Sequence, residues 1–208
     1  MRKRQAQPPK GGQEDAVPAQ QLEAPKGFLA DKDYSGIIVR ELGIKEDDVI
    51  VSVGGGGGAG ISLEAKTAEA GARLIIVSKG YSTIITPEDM LDARKTALRH
   101  QIGRVQSSFQ DYDVPEDVKG YYMFNVLDAA GTREGDEIVE KALLSLKGRK
   151  GFIFASTYLP WDLGGENHAY TGNCERILEI GKRLGIEVKG PKKFQYTFSE
   201  YAEAYTVG

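Results

Sequence analysis

Five consecutive glycines, Gly54 to Gly58, and a sixth at Gly60 follow the β-branched run Val49-Ile50-Val51-Ser52-Val53. Glycine permits positive φ, tight turns and close approach of another group to the backbone. A helix starting just behind such a turn aims free N–H groups at whatever is bound. Gly54, Gly56 and Gly58 are therefore candidate backbone contacts for a small ligand; turn geometry alone is the plainer explanation. Asn125 and Asp128 close an apolar, strand-like run over 120–127. The carbonyl oxygen of an asparagine can orient a nitrogen nucleophile, and an aspartate can hold or deprotonate it. For Asn125 the plainer role is capping a strand end. Residues 157–172 (T-Y-L-P-W-D-L-G-G-E-N-H-A-Y-T-G) form the longest polar-aromatic loop, with Tyr158, the single tryptophan Trp161, and His168. A flat aromatic substrate or a peptide side chain could pack there; Trp161 could instead cover a sheet edge. His168 has the titration range of a general base, although a lone histidine is more often structural. One cysteine, Cys174, and two distant histidines offer no metal-ligand spacing. Lys189, Lys192 and Lys193 form a basic cluster that could meet a phosphate or an acidic partner, or be a solvated hairpin.

These residues need elements to hold them. A short helix over 33–42 stops at Gly43, and a buried strand follows over 48–53. A helix over 61–70 stops at Gly71, and a second apolar strand runs over 74–77. Thr86 caps a helix with Pro87 at its first position, running to about residue 100. A weak third strand is expected over 104–109, a fourth over 120–127, a helix over 134–146 and a fifth strand over 151–156. A helix over 173–184 precedes two closing strands, 187–190 and 201–207, read as antiparallel. Strands alternating with helices imply an α/β fold with a mostly parallel sheet. Such sheets bind ligands at the carboxyl ends of their strands, at the switch point, which is where the glycine run sits.

Composition sets the outer bounds. The chain has 208 residues, a net charge of -3 and 40% hydrophobic residues. That suits one globular domain, and an acidic chain is a poor dedicated nucleic-acid binder. Residues 1–30 hold Pro8, Pro9, Pro18 and Pro25 among Gln, Gly, Ala and charge. This composition predicts a disordered tail ahead of a folded domain over 31–208. A single cysteine favours a reducing compartment, here the cytoplasm. No apolar run reaches the roughly 18 residues that span a bilayer. Arg2, Lys3 and Arg4 would suit a transit peptide, but Glu14, Asp15 and Glu23 oppose one.

Two resemblances attach to the glycine run. The glycines Gly55, Gly57 and Gly60 fit G-x-G-x-x-G, and the stretch D-D-V-I-V-S-V-G-G-G-G-G-A-G with A-E-A-G-A-R-L-I-I-V-S-K-G resembles the FAD-binding start of fumarate-reductase-type flavoproteins. That likeness covers 47–80 and stops there. The second covers roughly 33–208 as an order of elements. V-R-E-L-G-I-K-E-D-D-V-I-V-S-V-G-G-G is similar to the first helix, turn and glycine-looped strand of class I S-adenosylmethionine-dependent methyltransferases. I-T-P-E-D-M-L-D-A-R-K-T-A-L resembles the family's helix after the second strand, and V-Q-S-S-F-Q-D-Y-D-V-P its third strand and acidic loop. Y-Y-M-F-N-V-L-D, S-L-K-G-R-K-G-F-I-F-A-S and the ending R-L-G-I-E-V…Y-A-E-A-Y-T-V resemble the fourth strand, the turn into the fifth, and the closing pair. N-V-L-D with the later Y-L-P-W also faintly resembles DREV-type protein-histidine methyltransferases.

The methyltransferase resemblance implies a Rossmann-like, seven-stranded, mostly parallel sheet with helices on both faces and a C-terminal antiparallel strand pair. It implies S-adenosylmethionine as cofactor and a small molecule or protein side chain as methyl acceptor. Gly54, Gly56 and Gly58 would face the methionine part, and Asp111 the adenine amino group. Ser78 stands where the family carries its ribose-binding acid. Asn125 and Asp128 would face the methyl group and acceptor, with Tyr158, Trp161 and His168 overhanging the acceptor. Ser52 replaces the family's usual acid in the first strand. With two acids replaced, a non-catalytic binding or assembly subunit of the same fold stands as the alternative, and a flavin- or nicotinamide-binding protein as the third.

Overall fold

The computed structural model describes residues 33–54, 59–80, 102–124, 131–157, 170–195 and 201–208, all within the unit Lys32–Gly208. The expected tail over 1–30 and the helix near 86–100 lie outside the described residues. Asp33 caps α1 (Tyr34–Glu41), its carboxylate accepting the Gly36 N–H at 2.9 Å. β1 (Val49–Val53) follows, then α2 (Ala59–Glu69) and β2 (Arg73–Ser78). β3 (Ile102–Gln106) and β4 (Val118–Met123) precede α3 (Gly131–Leu146). β5 (Gly151–Thr157), α4 (Tyr170–Leu184), β6 (Val188–Gln195) and β7 (Tyr201–Val207) complete the order. Gly43, Gly71 and Gly185 stop α1, α2 and α4 with φ of 65°, 89° and 65°, as their places in the sequence predict.

The seven strands form one sheet in the order β3-β2-β1-β4-β5-β7-β6. Its first five strands are parallel, and β7 runs antiparallel to β5 and β6. This is the predicted architecture. The chain winds outward from β1 to β3, then returns to place β4 on the other side of β1. The switch point therefore lies between β1 and β4.

Three strand ends depart from expectation. β3 spans 102–106 rather than 104–109, because it pairs only with β2, from Leu74↔Ile102 to Ser78↔Gln106. Phe109 has left the strand and is buried. β4 stops at Met123, which pairs with Val53, the last residue of β1; the apolar run to Leu127 outlasts its partner. β6 continues past Gly190 to Gln195 through a register shift between Lys189 and Lys192. Pro191 made that extension hard to foresee, yet an edge strand tolerates proline because its outer side needs no donor.

Alternation along the strands divides the core between the two faces. Val51, Val53, Tyr121, Met123 and Ile153 pack with α3 and α4. Ile50, Ile76, Tyr122, Phe152 and Phe154 pack with α1 and α2. The adjacent tyrosines of β4 point opposite ways and bond one helix each. Thr67 donates to the Leu63 carbonyl at 2.8 Å, so the Tyr122 hydroxyl, 2.6 Å away, donates to Thr67 on α2. Ser145 donates to the Ala142 carbonyl at 2.7 Å, so Tyr121, at 2.5 Å, donates to Ser145 on α3. Burial pushes both phenols well above the ordinary tyrosine range, and these hydrogen bonds only partly oppose it. Removing the Tyr122 hydroxyl (Tyr122→Phe) leaves Thr67 short of a buried donor and should lower stability by about 1 kcal/mol, measured by urea unfolding.

Candidate functional site

The carboxyl ends of β1, β2 and β3 meet along one edge. The chain leaves β1 at Gly54, whose N–H donates to the Val77 carbonyl at 2.8 Å. Its φ is 87°, a conformation that strains any residue with a side chain. The glycine there is thus required by the turn itself, and it stands at the switch point. Gly56 and Gly58 lie outside the described residues.

Ser78 ends β2 directly beside this turn. Its hydroxyl donates to the Gly80 carbonyl at 3.0 Å and accepts the Gly80 N–H at 3.3 Å. The hydroxyl therefore shapes the Ser78–Gly80 turn. Next to it, Lys79 reaches Glu134 on α3 at 2.6 Å. That hydrogen bond and the ammonium charge hold the Glu134 carboxyl below its usual range.

Asp111 sits in the turn after β3, not in a loop after a longer strand. Its carboxylate accepts the Ser108 hydroxyl at 2.6 Å, and its N–H donates to the same hydroxyl at 3.1 Å. Neighbours fix the turn in place. Phe109 is buried edge-on to Tyr121, with ring centroids 5.6 Å apart. Lys141 of α3 donates to the Gln110 carbonyl at 2.6 Å. Asp111 itself is exposed, so its outer lone pairs face solvent.

One acid was missed from sequence. Glu64 of α2 is fully buried, and the Ser52 hydroxyl, also fully buried, donates to its carboxylate. Ser52 is the β1 position where the family resemblance implies an acid. A carboxylate therefore stands one hydrogen bond away from that position, supplied by α2. In sequence Glu64 reads as a solvated residue of an amphipathic helix. Its signal was the glutamate's position one residue after Leu63, on the helix face that packs against β1.

Asn125, Asp128, Tyr158, Trp161 and His168 lie outside the described residues. Met123 pairs with Val53, so β4 ends level with the glycine turn, and Asn125 follows two residues later in the chain. Among the described residues, no group of three or more His, Cys, Asp or Glu could hold a metal ion, and no helix is long and apolar enough to cross a membrane.

No family model matches the chain, and no curated protein matches its sequence. Solved structures do resemble it. The pyocyanin biosynthetic protein PhzM aligns over 84% of this chain and 54% of its own, at 15% identity and a TM-score of 0.61. The chain thus spans about half the length of that protein. The 1,6-didemethyltoxoflavin-N1-methyltransferase of Burkholderia thailandensis, solved with S-adenosylhomocysteine, aligns over 85% of this chain and 77% of its own, at 13% identity and a TM-score of 0.56. The fold is that of the class I methyltransferases. It does not by itself decide the reaction: the [4+2]-cyclase SpnF aligns over 83% of this chain and 78% of its own, at 13% identity and a TM-score of 0.56. The flavoprotein resemblance finds no support, since the likeness over the whole described domain is to methyltransferase-type sheets. The DREV-type resemblance finds none either, and the segments that suggested it, 125–128 and 158–161, lie outside the described residues.

Proposed function

We propose that the crevice at the carboxyl ends of β1 and β2 binds S-adenosylmethionine, and that the chain transfers its methyl group to a small molecule or protein side chain. The Gly54 turn at the switch point carries this reading. It sits where a sheet of this order binds its ligand, and its φ of 87° keeps side chains away from the edge. The similar methyltransferase solved with S-adenosylhomocysteine supports it.

In this proposal Gly54, Gly56 and Gly58 line the methionine part, and Ser78 the ribose. Asp111 accepts from the adenine amino group through an oxygen that Ser108 does not use. Glu64, through Ser52, places a carboxyl group beside the strand that leads into the glycine turn. Asn125 and Asp128 orient the acceptor and take its proton, while Tyr158, Trp161 and His168 cover it. The cofactor supplies an electrophilic methyl group; the chain supplies alignment and exclusion of water. Removing the Asp111 carboxylate (Asp111→Ala) should weaken S-adenosylhomocysteine binding roughly tenfold. The melting temperature should change little, because the side chain is exposed.

The Ser78 hydroxyl, engaged with Gly80, favours one other reading: a subunit of this fold that binds without catalysing. Incubation with methyl-labelled S-adenosylmethionine and a panel of small amines, phenols and peptides separates the two. Label on an acceptor, lost in Asn125→Ala, supports the enzyme. Cofactor binding with no transfer to any acceptor class supports the binding subunit.

A further inference from the structure

The amino ends of the central strands, at the opposite end of the sheet from Gly54, border a second concavity. Its volume is about 460 Å³, within the range of roughly 300–1,000 Å³ typical of small-molecule sites. The floor is apolar, built from Phe152 of β5 and Phe194 of β6, with Leu42 after α1 at one side. The rim is basic. Lys119 is the second residue of β4, Lys150 precedes β5, and Lys189 and Lys192 lie on β6. Glu41 is the only acidic side chain among the described residues that line it.

These lysines are unequally satisfied. Lys192 pairs with Glu41 at 2.5 Å and lies 5.3 Å from the centre of the Phe194 ring. Lys189 pairs with Glu187 at 2.8 Å. Lys193, the third member of the cluster read from sequence, turns to Glu203 at 3.8 Å and does not line the cleft. Lys119 and Lys150 have no ion pair among the described residues. Four lysines stand against the one lining acid, Glu41, around the rim, an excess of three positive side-chain charges in a chain whose net charge is -3. Gathering like charge around a concave apolar floor raises the local potential and concentrates anions.

We propose that this cleft is a second ligand site, for a small anionic ring compound that joins a flat ring to phosphate-like charge, as a nucleotide does. The ring lies on the floor of Phe152 and Phe194. The anionic group is taken by Lys119 and Lys150, the two rim lysines with no ion pair among the described residues. Lys192 can add to them by exchanging Glu41 for the ligand. The site does not depend on the function of the glycine crevice, because the length of the strands, about 16 Å for a five-residue β1, separates the two.

The test is calorimetric titration of the full chain with uridine 5′-triphosphate, whose pyrimidine avoids competition with an adenine site. Uridine alone and tripolyphosphate alone serve as separate arms. The nucleotide should bind more tightly than either part. The double substitution Lys119→Gln/Lys150→Gln should weaken it roughly tenfold or more. Glu41→Gln should tighten it, a direction that misfolding does not produce. Saturating S-adenosylhomocysteine should leave it unchanged. The proposal is overturned by absence of binding at millimolar nucleotide, by tripolyphosphate binding as well as the nucleotide, by indifference to the double substitution, or by displacement with S-adenosylhomocysteine.

Discussion

Truncating Phe154 to alanine should lower the unfolding free energy by about 3–5 kcal/mol, the range for emptying a large aromatic site in a packed core. Phe154 is fully buried in the middle of β5. Its ring lies 5.8 Å from Tyr122, 6.3 Å from Phe124 and 6.0 Å from Phe194. These partners come from β4, the residue after it, and β6, so the cavity would open on one face of the sheet, spanning β4, which pairs with β5, and β6, which lies beyond β7. Rigid strands cannot close around it, which places the cost in the upper part of the range. Leu144→Ala is the comparison. Leu144 lies on α3 but is 51% exposed, and its truncation should stay within about 0.5 kcal/mol. Urea unfolding of the three proteins reads both effects. Near-equal losses for the two variants would mean that the α1/α2 face of the sheet is not packed as described.

Glu64 should show two separable effects. Replacement by alanine removes the acceptor of the buried Ser52 hydroxyl and leaves a void between α2 and β1. The combined loss should be about 2–4 kcal/mol. Glutamine keeps the volume and keeps a carbonyl for Ser52, so Glu64→Gln should unfold within about 1 kcal/mol of the native chain. If Glu64 acts through its charge, glutamine should still weaken S-adenosylhomocysteine binding by roughly tenfold, because a buried charge is poorly screened. Full-strength binding by a stable Glu64→Gln protein would reduce Glu64 to a packing residue. Ser52→Ala adds a check, since it removes the donor to Glu64 while keeping the carboxyl group, and should fall between the two.

Much of the fold was legible because local signals agreed with each other. Val49–Val53 is wholly buried between parallel neighbours, and its unbroken apolar run says so. Gly43, Gly71 and Gly185 end helices by the positive φ that they alone adopt cheaply. Where a boundary depends on a partner strand, sequence gave less. β3 and β4 end where β2 and β1 end, a fact written in other segments of the chain. β3 is also an edge strand with mostly exposed side chains, so its pattern is faint. The site shows the same division. Gly54 was visible because its neighbours in sequence create the turn. Glu64 was hidden because its meaning comes from Ser52, twelve residues away, across a strand and a loop. The basic cleft was half visible: Lys189 and Lys192 are close in sequence, but Lys119 and Lys150 join them only through the pairing of β4, β5, β7 and β6.

The central claim is that the glycine turn at the switch point holds S-adenosylmethionine, and its most direct test is calorimetric titration of the purified chain with S-adenosylhomocysteine. The account predicts a single site of micromolar affinity, about -8 kcal/mol, lost in Gly54→Val and retained in Lys119→Gln/Lys150→Gln. No heat and no thermal stabilisation at millimolar ligand would contradict it, and would leave a methyltransferase fold whose crevice serves some other ligand.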